Sequence, residues 1–269
     1  MSLRLTPDGR RYALMGKGER QPLPFHLRWL VPAVCHDREA AWIVLNLASI
    51  LAVVLGTGYL ALWHGATLAQ ACVAALLMAG MPSLRFAWAA PVLVDMPALA
   101  VALGAALLWP LEPYAAVAVA LLAGAISEKA PVWAAVFALS PWLLLGLVAP
   151  LLRWALIRAP KPSPHDPLAV TLEHPIQAAL EYHRGRWRDP LLMLTPWGVC
   201  LVALLAPSPW LWLALAVGYA QLLLATDSVR LYQQAAPVAC VSAALLIPDA
   251  WAIPAVVAHW FNPLGGNGL

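Results

Sequence analysis

Six charged side chains sit inside or at the mouths of long apolar runs: Arg85, Asp95, Glu128, Lys129, Asp227 and Arg230. In hydrocarbon each is costly unless paired or hydrated, so each is a candidate for holding an ion, a phosphate or a proton. Asp95, in PVLVDMPAL, is the least comfortable. Within a helix rising about 1.5 Å per residue it lies well below the end of its run. It either faces a site or pairs with a neighbouring helix, Arg85 being one possible partner. Glu128 and Lys129 are adjacent and cannot share a helix face. One can enter a site while the other snorkels to an interface, and a helix-end charge pair explains them equally well. Asp227 and Arg230, in ATDSVRLYQQAAP, are three apart; they pair on one helix face, or Asp227 caps a helix.

The elements that must position these groups are apolar. Of 269 residues, 62% are hydrophobic and 11% charged, against roughly a quarter charged in an ordinary soluble domain. The reading is an all-α polytopic transmembrane bundle of about seven to eight membrane segments. Ala40 to Trp63, Ala89 to Trp109 and Ala130 to Leu152 meet the length of about 20 residues alone. Thr67 to Met81, Tyr114 to Ile126, Pro190 to Ala206, Pro209 to Ala225 and Ala235 to Ile247 are shorter, and read as short spans, broken helices or re-entrant pieces. Four regions follow: a polar interfacial segment, 1–39; a first transmembrane bundle, 40–152; a polar loop, 153–189; and a second bundle, 190–269. Within the loop, Leu168 to Arg184 suits a short amphipathic helix lying along the interface.

The formal charge is +3, and the basic residues cluster in the N-terminal segment and from Arg153 to Arg188. Without interleaved aromatics this pattern points to anionic headgroups or phosphates, not nucleic acid. Cys35, Cys72, Cys200 and Cys240 are scattered and read as packing residues rather than a disulfide framework or zinc site. His26, His64, His165, His174 and His183 lack zinc-ligand spacing, so no histidine metal site is expected. The first thirty-nine positions hold no uninterrupted apolar stretch, so no signal peptide is read there. Thr6 to Pro32 is divided by Pro22, Pro24 and Pro32, and Phe25, Leu27, Trp29 and Leu30 give it an apolar side. It is expected to fold back over the membrane mouth as short helices. Arg85, Asp95, Glu128 and Lys129 are then expected to face one cavity, with Asp8 at its rim.

The order DGRRYALMGKG, PFHLRWLVP, LVDMPALAVALG, AISEKAPVWAAVFALSP and TDSVRLYQQAAPV resembles the polytopic glycosyltransferases of the GT-C superfamily, which take sugars from polyprenyl-phosphate donors. The resemblance implies a glycosyltransferase of a bacterial-type inner membrane, with a glycan, lipid or protein acceptor. It implies that Asp8 is the catalytic base, with Tyr12, His26 and Arg28 lining the entrance and Arg28 near the donor phosphate. Arg10, Arg11, Arg85 and Lys129 are further cations for that phosphate, and a divalent metal ion is an alternative to them. Asp95 and Glu128, singled out by the cost of their charges, complete the substrate-binding set, and Asp227 and Arg230 either join it or belong to a different site. Family members carry a transmembrane helix ahead of the acidic loop, whereas seven residues precede Asp8 here. By itself, PDG reads as an ordinary turn. A non-catalytic lipid-binding or assembly subunit of the same fold, and a small transporter coupling ions through Asp95 and Glu128, are the competing expectations.

Overall fold

The computed structural model describes residues 5–161, 176–177, 180–181, 184, 194–205, 208–222 and 233–262. Among them every regular element is helical, and no strand is present. The chain divides into two compact units, one of Met1–Val53 with Phe86–Ser163 and the other of Val54–Arg85 with Pro164–Leu269.

In the first unit, α1 (Pro7–Gly16) begins with a strong start signal: the Thr6 hydroxyl accepts from the Gly9 amide at 3.0 Å, Pro7 is in the first turn, and Asp8 is the acidic residue beside it. TPDG is therefore a helix N-terminus and not a free turn. A 3-10 turn, Phe25–Leu27, leads to α2 (Leu30–Cys35), and both are short, as prolines divide the segment. This N-terminal region packs onto the helical body: α1 meets α2, α2 meets α7, and Phe25–Leu27 meets α9, where α7 is Pro113–Ile126 and α9 is Val148–Leu156. Short helical pieces in the expected Thr6 to Pro32 segment are thus present and packed on this unit. The body itself is α6 (Asp95–Leu108) against α7 and α8 (Ala130–Ala138), with the 3-10 stretch Pro141–Leu147 laid on α7 and α8.

Two expected long helices are shorter than their apolar runs. Residues 90–94 are not helical, so the helix expected from Ala89 begins at Asp95. Pro91 lacks an amide hydrogen and disfavours helical geometry at Ala90. Asp95 is thus the first residue of a helix, not a residue several positions inside one. The run from Ala130 breaks at Leu139, which is left-handed (φ 50°), followed by extended Ser140 ahead of Pro141.

The helix α3 (Glu39–Trp63) passes from the first unit into the second. Its buried positions, Trp42, Asn46, Ser49, Val53, Thr57, Gly58, Leu60 and Ala61, include three polar residues; its exposed stripe, Val44, Leu47, Leu51, Leu55, Tyr59 and Leu62, is apolar apart from one hydroxyl. That is the reverse of a helix on a water-soluble core. The Asn46 amide donates to the Ala87 carbonyl at 2.7 Å, and the Ser49 hydroxyl donates to the Leu45 carbonyl at 2.7 Å. By length and composition α3 is long and apolar enough to cross a membrane.

The second unit holds α4 (Leu68–Gly80), started by a Thr67–Gln70 capping box. It also holds α10 (Pro209–Leu222), α11 (Ala236–Leu246), α12 (Ala252–Trp260) and the 3-10 segment Thr195–Leu205. α11 packs on α4, on Thr195–Leu205 and on α10, while α12 packs on α4 and Thr195–Leu205. The Trp260 indole donates to the Leu76 carbonyl at 2.9 Å and the Asn262 amide to the Thr195 carbonyl at 2.9 Å, fastening α12 at its end. α4 with α5 (Pro82–Ala89) is apolar enough to cross but bent by 50°, and α11 with Asp249–Trp260 is bent by 119°. Counting each bent pair as one span gives up to three among the described residues. Ile176, Gln177, Leu180 and Glu181 are helical, and the Gln177 amide donates to Glu181 at 2.9 Å. Arg184 lies in a turn, its amide donating to the Glu181 carbonyl at 3.2 Å, and the rest of the expected helix Leu168 to Arg184 lies outside the described residues, together with His165, His174, His183, Asp227 and Arg230.

Candidate functional site

The polar centre of the first unit is built on Arg28. The 3-10 turn before it closes through the Arg28 amide, which donates to the Phe25 carbonyl at 2.9 Å. The guanidinium then reaches Glu128, in the short link between α7 and α8. Nε donates to Oε2 at 2.9 Å and one terminal nitrogen to Oε1 at 2.5 Å, a two-pronged charge-assisted pair. The other terminal nitrogen donates to the Tyr12 hydroxyl at 3.0 Å. Arg28 is only 7% exposed, so the pair works in a medium that screens poorly. Phe25 supports it from the side: the Arg28 guanidinium lies 5.9 Å from the ring centroid, that of Arg11 5.1 Å, and Tyr12 meets the ring edge-on at 5.3 Å.

The titration of these groups follows from that geometry. Burial alone would raise the Glu128 pKa, but the Arg28 charge, its hydrogen bonds and nearby Lys129 bring it down to about 2. Burial opposes the Arg28 charge, yet Glu128 and Tyr12 outweigh it and hold the guanidinium well above its ordinary value. Tyr12 is raised by burial above all, opposed by Arg28, while the charges of Asp95 and Asp8 push the same way as burial. Asp95 and Asp8 are therefore near enough to the Tyr12 phenol to act on it. The backbone explains this proximity. Gly9 abuts the Val92 carbonyl, which a Cβ would approach to 2.9 Å, so the start of α1 lies on the non-helical stretch that leads into Asp95.

Asp8, Tyr12, Arg28, Asp95, Glu128 and Lys129 thus belong to one compact unit, drawn from α1, the N-terminal link, the start of α6 and the α7–α8 link. Arg11 joins through Phe25, whereas Arg10 is exposed. His26 is buried, with Nε2 3.2 Å from the Ile157 carbonyl, and its own carbonyl accepts from Arg153 Nε at 2.7 Å. Burial first, and then the Arg153 charge, lower its pKa. A neutral imidazole donating to Ile157 fits, which makes His26 a tether to the end of α9. Arg85 belongs to the second unit, where it donates to the Trp260 carbonyl at 2.6 Å and to the Gly80 carbonyl at 3.4 Å. Asp227 and Arg230 are outside the described residues.

In the sequence Arg153 reads as one member of a basic run and nothing marks it as a site residue. Its proximity to Trp29, 5.2 Å from ring centroid to guanidinium, has no local sequence signal. No three His, Cys, Asp or Glu side chains among the described residues gather into a metal-ligating group. Chemically, the cluster offers two carboxylates at helix N-termini, a buried phenol, and a guanidinium with one N–H on each terminal nitrogen not donated to a described residue. Comparison of the chain with family models, with curated proteins and with solved structures finds no significant match.

Proposed function

We propose that the chain is a polytopic membrane glycosyltransferase that moves a sugar from a polyprenyl-phosphate donor to an acceptor hydroxyl, with the Arg28 cluster as its site. The observation that carries the reading is the convergence of Asp8, Tyr12, Arg28, Asp95 and Glu128 from separate stretches of chain. Inverted α3, polar inward and apolar outward, supports residence in a bilayer. The bent pairs and the shorter apolar helices Asp95–Leu108, Pro113–Ile126, Pro141–Leu156 and Thr195–Leu205 supply the remaining membrane segments. A bacterial inner membrane is the location that the resemblance implies.

In this reading the acceptor oxygen attacks the anomeric carbon while its proton passes to the Asp8 carboxylate. The bond from that carbon to the phosphate oxygen breaks, and the electron pair leaves on the phosphate. Displacement from the opposite face inverts the anomeric centre. Arg28 supplies its two remaining N–H donors to the leaving phosphate, held in place by Glu128 and Tyr12.

Asp8→Asn should lower transfer by about a hundredfold or more while donor binding persists, because the amide keeps the shape and cannot take the proton. Unchanged turnover would remove Asp8 as the base. A second reading, a lipid-binding subunit without catalysis, is favoured by two features. Asp8 already has a role as an anion at the start of α1, and Arg28 spends three donors within the protein. Retention of polyprenyl phosphate by a protein that gives no turnover with any sugar donor would select that reading.

A further inference from the structure

A cleft of about 740 Å³ lies between the end of α1 and the turn joining α2 to α3, lined by Met15, Gly16, Lys17 and Gly18 on one side and Ala33, His36, Asp37 and Arg38 on the other. None of these residues belongs to the Arg28 cluster. The two turns are pressed together where Gly16 meets the His36 carbonyl, a position at which any Cβ would clash. With glycines at 16 and 18, that wall is mostly backbone and leaves room for a ligand. Lys17 and Arg38 are exposed, and Asp37 offsets one of them, so the lysine, arginine and aspartate of the lining sum to one positive charge.

The position of the cleft along α3 suggests what fills it. Arg38 directly precedes α3, whose exposed apolar stripe begins six residues later at Val44, a rise of about 9 Å. A headgroup layer is about 5–7 Å thick beside a hydrocarbon core of about 30 Å. The apolar stripe of α3 thus begins about one headgroup layer away from Lys17 and Arg38 along the helix, which is the separation of a lipid phosphate from the start of its acyl chains.

We propose that this cleft seats the phosphodiester of a membrane phospholipid, one negative charge meeting one net positive charge. The site rests on the bilayer reading of α3 and is independent of the transferase reading.

The test is lipid retention by the full chain in nanodiscs, followed by native mass spectrometry, for the unmodified protein and for Lys17→Ala with Arg38→Ala. Phosphatidylglycerol should bind the unmodified chain about tenfold better than it binds the double variant. Diacylglycerol with the same tails should show no such difference. Added salt should shrink the phosphatidylglycerol difference, and the exchange Lys17→Arg with Arg38→Lys should retain it. Both residues are exposed, so the variants should fold; matching circular dichroism checks this. Equal phosphatidylglycerol retention by the unmodified chain and the double variant overturns the site. A difference seen with inorganic phosphate alone, and not with phosphatidylglycerol, overturns the lipid assignment in favour of a free anion. Failure of the unmodified chain to enter nanodiscs at all is a distinct result, which removes the bilayer reading itself and the lipid site with it.

Discussion

Glu128 is the residue on which the first unit's charge balance turns. Its pKa lies at about 2 against an ordinary 4.5, so the ionised form contributes stability that is fully present above pH 4.5 and lost as pH falls through about 2. Glu128→Gln removes this titration and leaves Arg28 buried with half its support. At neutral pH the variant should be less stable by about 3 kcal/mol. The gap should narrow on acidification below pH 4.5 and be smallest near pH 2, read by denaturant unfolding in detergent. A pH-independent gap would assign the loss to packing rather than to the charge pair. This pairing was not legible in the sequence: Arg28 and Glu128 are 100 residues apart. Each had a plausible local explanation, Arg28 within a basic segment and Glu128 beside Lys129. What the sequence did show was that Glu128 is a charged group beside an apolar run, which is a statement of cost and not of partner.

At the scale of elements, local chemistry decides where helices start and stop, and it overrides apolar length. α3 was legible because nothing interrupts its apolar run, and the helix spans Glu39–Trp63. The depth assigned to Asp95 failed because it assumed a continuous helix through Pro91. Likewise, the run from Ala130 was too generous because Ser140 stands before Pro141 and cannot stay helical easily. The start of α1 shows the opposite case, in which a short polar motif specifies a helix. Thr6→Ala should cost about 1 kcal/mol by removing the cap to Gly9, while Thr6→Ser should largely preserve it. Hydrogen exchange at the Gly9 amide should speed up in the alanine variant and stay slow in the serine one. Because α1 also carries Asp8 and Tyr12, the loosened cap should weaken the Arg28 cluster as well. An unchanged Gly9 amide would show that contact with the Val92 region, rather than the cap, holds the start of α1.

At the scale of the whole molecule, the distribution of polarity around α3 separates a bilayer from water as the surrounding solvent. In water, an exposed leucine stripe with asparagine, serine and threonine on the buried side wastes hydrophobic burial. In hydrocarbon the stripe faces lipid without penalty, and the inward polar groups find partners within the protein. Leu51 lies at the middle of α3 and is 58% exposed. Leu51→Arg would therefore be nearly neutral for a protein surrounded by water, because an exposed arginine there is solvated. For a helix crossing a bilayer, the same change places the charge near the core and costs about 2.5–3.5 kcal/mol on insertion scales. The measurement is the inserted fraction of α3 in a translocon assay, scored by modification of engineered acceptor sites on either side of Glu39–Trp63. A marked fall for Leu51→Arg, with little change for Leu51→Ile, is the expected result. Equal insertion of all three sequences would mean that the apolar stripe does not face lipid, and the exposed side of α3 would then have to be covered by protein.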